Sequence, residues 1–330
     1  MKIYLREILD KDFPLILQLA SETVKEQVSS VRQDVCLNSV RENYLSEMTQ
    51  VLNLIKTLKD YRFFVSFARN DELSGYILMD TANNEIVTRI AQAWIFDLSV
   101  ADPYWNTDIP DKLLEQAENI AREKGLKHIA LRIPNSNEKR VNFFKSRGYE
   151  MEKYRFYKKL DSGFLNKNNL LEGGNINIRP VKGGDIPFME RLLKENLEFF
   201  ISPLRCYSKE EIKNTRLNFC NELKDKLKTG ELVSFIAEED KIPLGFFLIN
   251  YNRDFLSGQS EVYVNNIVVE KSVMGKWVSN KLGRKIEEYA AEKEIFTLSA
   301  DIALSNRRSI LFTTRYFGYV IEQVELLKCL

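Results

Sequence analysis

YLREILDKDFPLILQL at residues 4–19 and NIRPVKGGDIPFMERLL at residues 177–193 decide the fold. Arg6, Asp12 and Pro14 of the first stretch recur as Arg179, Asp185 and Pro187, each 173 positions later. Working outward, Gly75 in LSGYILM is matched by Gly245 in PLGFFLI, and IFDLSV (95–100) by VNNIVV (264–269). Asn137 is matched by Asn306, and Gly148-Tyr149 by Gly318-Tyr319. The offset stays near 170 and the order is kept, which chance similarity would not give. The chain therefore reads as two homologous domains, residues 1–160 and 176–330. They are joined by DSGFLNKNNLLEGGN (161–175), a polar, glycine-containing stretch without a period that reads as a linker.

The pattern within each copy is that of a mixed α/β (α+β) domain. Asp12 before Pro14 and Asp185 before Pro187 suit a helix N-cap followed by proline in the first turn. Helical periodicity fills 40–59 and 208–228. Paired strands follow at 62–68 and 75–80 in the first copy, and at 232–239 and 244–250 in the second. A third strand then leads through a loop into an amphipathic helix, with Leu113, Leu114, Ala117 and Ile120 on one face in the first copy. A strand (HIALRI, FTLSADI), a short helix and a final strand pattern ending in Gly-Tyr close each copy.

Composition removes several chemistries. The chain has 330 residues, 44 % apolar and 29 % charged, with a net charge of +1. No large basic excess supports general nucleic-acid binding. No apolar run is long enough to span a bilayer, and MKIYLREILDKDF meets charge too early for a signal peptide, so no membrane association and a cytoplasmic location are expected. The four cysteines are scattered and His128 is the only histidine, so no zinc site is expected. In a reducing compartment the thiols stay free. His128, at a strand start, reads as structural, and Trp94, Trp105 and Trp277 read as packing residues.

With these features in place, each copy resembles a GNAT-superfamily acetyltransferase domain. The resemblance rests on the opening I-R-x5-D-x-P, the strand–turn–strand with its glycine, and the strand leading into loop and helix. The segments from Asn306, Ser309, Ile310 and Phe312 to Gly318-Tyr319, and from Asn137, Val141 and Phe144 to Gly148-Tyr149, complete it. It implies two tandem GNAT-like domains, each a splayed mixed sheet flanked by helices. It also implies an acyl-CoA cosubstrate, usually acetyl-CoA, no metal, and direct transfer to the amine of a small molecule or peptide. The family seats the CoA pyrophosphate on backbone N–H groups where loop meets helix, a natural anion site.

The family loop is Arg/Gln-x-x-Gly-x-Gly/Ala. In the first copy Trp105, Asp108 and Pro110 take those places. A carboxylate repels the pyrophosphate and proline lacks the donor, so this copy is expected to bind CoA poorly or not at all. In the second copy Met274, Trp277 and Ser279 take them, no acid or proline intrudes, and Lys276 adds a positive charge. Carried over by the resemblance, the cofactor residues are Ile267, Val268, Val269, Met274, Gly275, Lys276, Trp277, Val278, Ser279 and Asn306. The catalytic candidates are Glu261 as base on the strand before the loop, Asn266 as an orienting amide, and Thr313 where the family has a thiolate-protonating tyrosine. Phe144 takes that tyrosine's place in the first copy, and Tyr316 stands near it in the second. Asp97 matches Asn266. The segment 195–223, with Phe199, Phe200, Arg205 and Tyr207, falls where the family recognises acceptors. A second reading keeps the fold without the chemistry: a catalytically degenerate ligand- or partner-binding protein, because both tyrosines and most loop glycines are replaced. The acceptor and the oligomeric state are left open.

Overall fold

The computed structural model describes residues 4–32, 35–55, 57–68, 72–161, 175–274 and 277–330. In the first copy they form β1 (Tyr4–Glu7), α1 (Phe13–Thr23), α2 (Leu37–Leu54), β2 (Tyr61–Phe67), β3 (Leu73–Asn84), β4 (Ala91–Val100), α3 (Ile109–Glu123), β5 (His128–Pro134), α4 (Glu138–Lys145) and β6 (Glu150–Lys159). The second copy repeats the series as β7 (Asn177–Pro180), α5 (Ile186–Asn196), α6 (Lys209–Thr229), β8 (Val233–Glu239), β9 (Ile242–Arg253), β10 (Ser260–Val269), α7 (Val278–Glu292), β11 (Thr297–Ala303), α8 (Arg307–Arg315) and β12 (Val320–Cys329). The linker lies almost wholly outside the described residues.

The repeated Arg and Asp of the opening motif meet in both copies. Arg6 donates to both carboxylate oxygens of Asp12 at 2.6 and 2.8 Å, and Arg179 to those of Asp185 at 2.7 and 2.9 Å. Asp12 and Asp185 stand at the N-caps of α1 and α5, as expected, but neither carboxylate caps forward. Each instead accepts from the backbone three residues back, Leu9 or Lys182, at 2.7 Å. The aspartate thus locks the turn that enters the helix and ties it to the short edge strand.

The twelve strands form one continuous sheet in the order β1-β2-β3-β4-β5-β12-β6-β11-β10-β9-β8-β7. Repeat boundaries and spatial boundaries therefore differ. The last strand of each copy crosses the midline: β12 pairs with β5 of the first copy, and β6 pairs with β11 of the second. The two exchanged strands also pair antiparallel with each other. The cores follow the exchange. Val324 and Leu326 of β12 pack in the core beneath α3, and Phe156 of β6 packs in the core beneath α7. Smaller cores lie on the opposite face, under α1 and α2 and under α5 and α6.

Ion pairs cover the midline on that opposite face. Arg205, from the segment between α5 and α6, reaches Glu152 of β6 (Nη2 to Oε2, 2.7 Å) and Gln92 of β4 (2.8 Å). Arg32, 173 positions earlier, reaches Glu322 of β12, with Asp254 and Glu261 at 3.8 and 3.9 Å and the Tyr157 ring beneath it. Each copy thus sends one strand and one arginine arm onto the other. Between the arms, Arg132 bridges Asp301 and Glu325 at 2.7 and 2.8 Å, and Lys153 holds Glu85 at 2.8 Å.

Candidate active site

Each half of the sheet opens along one seam. β4 and β5 run parallel but pair only from Ala93 to Ile95, and β10 and β11 only at Val262 and Tyr263. A bulge in β4 at Phe96, and the matching bulge in β10 at Asn265, accompany the separation. Beyond each bulge the strand's backbone faces a gap instead of a neighbouring ladder.

The two gaps are furnished differently. In the first copy Arg140 of α4 is buried and donates to the Leu98 carbonyl, inside the gap, with Asp97 at 3.8 Å. Asp97 itself is buried and accepts from Tyr44 and Tyr76, both at 2.6 Å, from Gln27 at 2.6 Å and from Ser99 at 3.0 Å. Burial and the Asp97 charge push both phenol pKa values well above the ordinary range, which keeps them as donors. Phe144 is fully buried and meets Tyr149 edge-on, and Trp105 is buried against Phe143. At the start of α3, Asp108 occupies the N-cap and pairs with Lys112 at 2.7 Å, and Pro110 follows. An anion and a residue without a donor already sit where a pyrophosphate would need N–H groups. The residues of this gap do not fit CoA.

In the second copy the position of Arg140 is Ser309, too short to reach across. Its backbone N–H donates to the Asn306 side chain at 3.2 Å, so Asn306 caps α8 as Asn137 caps α4. No described residue of α8 is buried, whereas α4 buries Arg140 and Phe144. The polar set around Asp97 is replaced by apolar groups: Phe246 stands for Tyr76 and Val268 for Ser99, both buried. Asn266 takes the place of Asp97. Asn265 donates to Asn250 at 2.6 Å, and Asn250 to Asn252 at 2.5 Å, forming a neutral amide ladder beside the bulge.

Glu261 and Asn266 share the face of β10 that carries Val268, because the bulge between Val264 and Asn266 shifts the alternation by one residue. Ile267 and Val269 turn to the α7 side and pack on that core. Glu261 lies before the gap, next to the short stretch where β10 pairs with β11. It is buried rather than solvated, held by Arg155 and approached by Arg32. Its carboxylate is committed to two guanidinium groups. Thr313 sits half-buried on α8, and its carbonyl accepts from Tyr319 N–H at 3.2 Å. Tyr316 is 68 % exposed.

Of the loop residues, Gly275 and Lys276 lie outside the described residues. Met274 meets Arg308 of α8 at 2.9 Å (Nη1 to Sδ), which brings loop and helix together. Trp277 opens α7 in a left-handed conformation (φ 40°) and is 52 % exposed, unlike a packing residue. Val278 is buried and Ser279 half-buried. The first turn of α7 carries no acid, in contrast to α3. This gap, its acid-free helix start and the exposed Arg307 and Arg308 fit an elongated anionic thioester. Among the described residues no group of three or more His, Cys, Asp or Glu side chains is placed to hold a metal, and no helix is long and apolar enough to cross a membrane.

Comparison with known proteins agrees with this architecture. Residues 29–149 and 190–319 each match the Acetyltransferase (GNAT) family, and the chain belongs to that family. The GCN5-related N-acetyltransferase from Sphaerobacter thermophilus superposes over 99 % of this chain and 95 % of its own, with a TM-score of 0.60 at 14 % identity. A tandem GNAT protein from the clavulanic acid biosynthesis pathway, in a structure without AcCoA, covers 99 % of this chain and 98 % of its own, with a TM-score of 0.54 at 11 % identity. At these identities the likeness is one of fold. By sequence, "Uncharacterized protein YxbD" of Bacillus subtilis (strain 168) is 33 % identical over 87 residues, which span 25 % of this chain and 54 % of that protein. The chain thus spans about half the length of this curated relative.

Proposed function

We propose that the chain is an acetyl-CoA-dependent N-acyltransferase that works through its second copy, passing the acyl group directly to an amine of a small molecule or peptide. The observation that carries this is the contrast at one repeat position. Arg140 reaches into the first gap and takes the Leu98 carbonyl, while Ser309, at the matching position of the second, is too short to do so. The backbone of Ile267–Val269 and the start of α7 at Val278–Ser279 would hold the cofactor, with Met274 and Asn306 at the rim. When bound there, the cofactor supplies an activated thioester carbonyl.

The chain's own residues then divide the remaining work. Asn266, with the ladder Asn265–Asn250–Asn252 beside it, orients the amine through uncharged donors and acceptors. Thr313 offers a hydroxyl, which donates a hydrogen bond but is a far weaker acid than a tyrosine. Glu261 lies on the same face but behind two guanidinium groups, so its part is to position β10 rather than to take the proton, which leaves through water. The first copy then serves as scaffold, its gap closed by its own side chains.

The test uses the full chain. Acetyl-CoA binding, followed by calorimetry and thermal shift, is expected for the parent protein and for Arg140→Ala. Ser309→Arg is expected to abolish it, at least a hundredfold in affinity, by placing the first copy's plug in the second gap. Thiol release with an amine panel then reports turnover. Absence of binding in the parent protein, or undiminished binding by Ser309→Arg, would overturn the reading in favour of a non-catalytic GNAT fold.

A further inference from the structure

The arm between α5 and α6 carries a feature that the arm of the first copy lacks. Arg205 pins this arm to Glu152 and Gln92 across the midline. The next residue, Cys206, is exposed. Cys329, the last residue of β12, is exposed as well and is fixed by the β5–β12 ladder directly opposite His128. Its thiol donates to the Leu204 carbonyl at 3.4 Å, and the Cys206 thiol lies within its hydrogen-bond reach. Tyr207, following Cys206, meets the His128 ring edge-on at 5.4 Å. Two independent anchors, an ion pair on one side and a strand ladder on the other, thus hold the two thiols against each other. At the equivalent positions of the first copy, Gln33 and Lys159 take their places.

We propose that Cys206 and Cys329 form a reversible disulfide that staples the α5–α6 arm to the exchanged strand β12. No third ligand joins the two sulfurs, since no described group of three or more potential ligands could hold a metal. The chemistry is thiol–disulfide exchange with a small disulfide such as glutathione disulfide. Partial burial, and then the neighbouring thiol, raise the Cys329 pKa, which disfavours its thiolate. Cys206 loses its proton to water and forms a bond to one glutathione sulfur, and the other glutathione leaves as thiolate. Cys329, deprotonated in turn, attacks the Cys206 sulfur and expels the second glutathione. One small disulfide is reduced to two thiols, and the protein dithiol is oxidised to one disulfide. Closure ties residues 206 and 329 and restricts the arm leading into α6.

The experiment treats the full chain with glutathione disulfide or with dithiothreitol, in a background with Cys36 and Cys220 replaced by serine. Oxidation is expected to lower the intact mass by two hydrogen atoms, to yield a Cys206–Cys329 peptide pair in a non-reducing digest, and to raise the melting temperature by several degrees. Cys206→Ser and Cys329→Ser should each melt like the reduced protein and show no rise. Stable glutathione adducts without the internal pair, or no reaction at all, would overturn the proposal.

Discussion

Asp12 and Asp185 show how far a residue can be read and where the reading stops. Their place before a helix is legible from Asp-x-Pro, but their partner is not. A capping aspartate and one that turns back onto Arg6 have the same local sequence, and only the recurrence of both residues at one offset hints at the pair. Glu261 shows the opposite case. A strand-end glutamate looks solvated in sequence, because Arg155 and Arg32, which bury it, are more than a hundred positions away. Removing one partner of a buried pair is costly, so Glu261→Gln should cost on the order of 3 kcal/mol in urea unfolding. Under the positioning role it should lower kcat less than tenfold without shifting the pH–rate profile; loss of the acidic limb of that profile would make Glu261 the base instead. His128 allows a pH prediction. Its ring is buried with neither nitrogen hydrogen-bonded among the described residues, and burial, with Arg205 and Lys127 nearby, holds its pKa down to about 4 from 6.5. The folded state therefore binds fewer protons than the unfolded one. The resulting stability is complete above the unfolded pKa of 6.5 and is lost as pH falls from 6.5 toward 4. His128→Leu should lose less melting temperature than the parent between about pH 7.5 and about pH 4.5.

Among the elements, those set by periodicity were legible. The helices over 40–59 and 208–228 appear as α2 and α6, although α2 already ends at Leu54, and each paired strand lies within four residues of its apolar run. The last strands, expected to end at Gly148-Tyr149 and Gly318-Tyr319, instead begin just after them, because each glycine takes a left-handed turn (φ 82° and 66°) between helix and strand. The matched glycines were legible as a pair, but their reason is spatial. A Cβ on Gly75 would lie 2.9 Å from the Ser99 carbonyl, and one on Gly245 would lie 2.7 Å from the Val268 carbonyl. Both glycines let β3 and β9 approach the strand that borders the gap. Gly245→Ala should therefore destabilise by roughly 2 kcal/mol and move β10, measurable as a loss of acetyl-CoA affinity, whereas Gly75→Ala should destabilise without touching that affinity. The closed gap was only half legible. Asp108 and Pro110 announced a poor cofactor loop, but Arg140 lies outside the loop, in a helix whose sequence gives no sign that one side chain turns in onto β4.

Across the whole molecule the duplication is plain in the sequence and the exchange is not. EMEKYRFYKK and VIEQVELLKC are equivalent strands, and either can complete either half, so local pattern cannot say which does. The choice belongs to the midline contacts, where Arg32 and Arg205 each recognise a glutamate on the strand that has crossed over. Residues 1–160 alone would lack β12 and expose a core edge, so each half expressed alone should aggregate or pair with itself. The two halves co-expressed should reassemble into one particle, and protease cleavage within 162–174 should leave that particle intact by size exclusion.

The crossing has a further consequence. In a homodimer of one such copy, every substitution is written twice, and an arginine that closes one cleft closes both. Here the same twofold arrangement is spelled out by a single gene with two separate sentences. Arg140 and Ser309 can therefore disagree: one cleft carries an arginine bound to its strand while its twin carries a serine, and neither choice constrains the other.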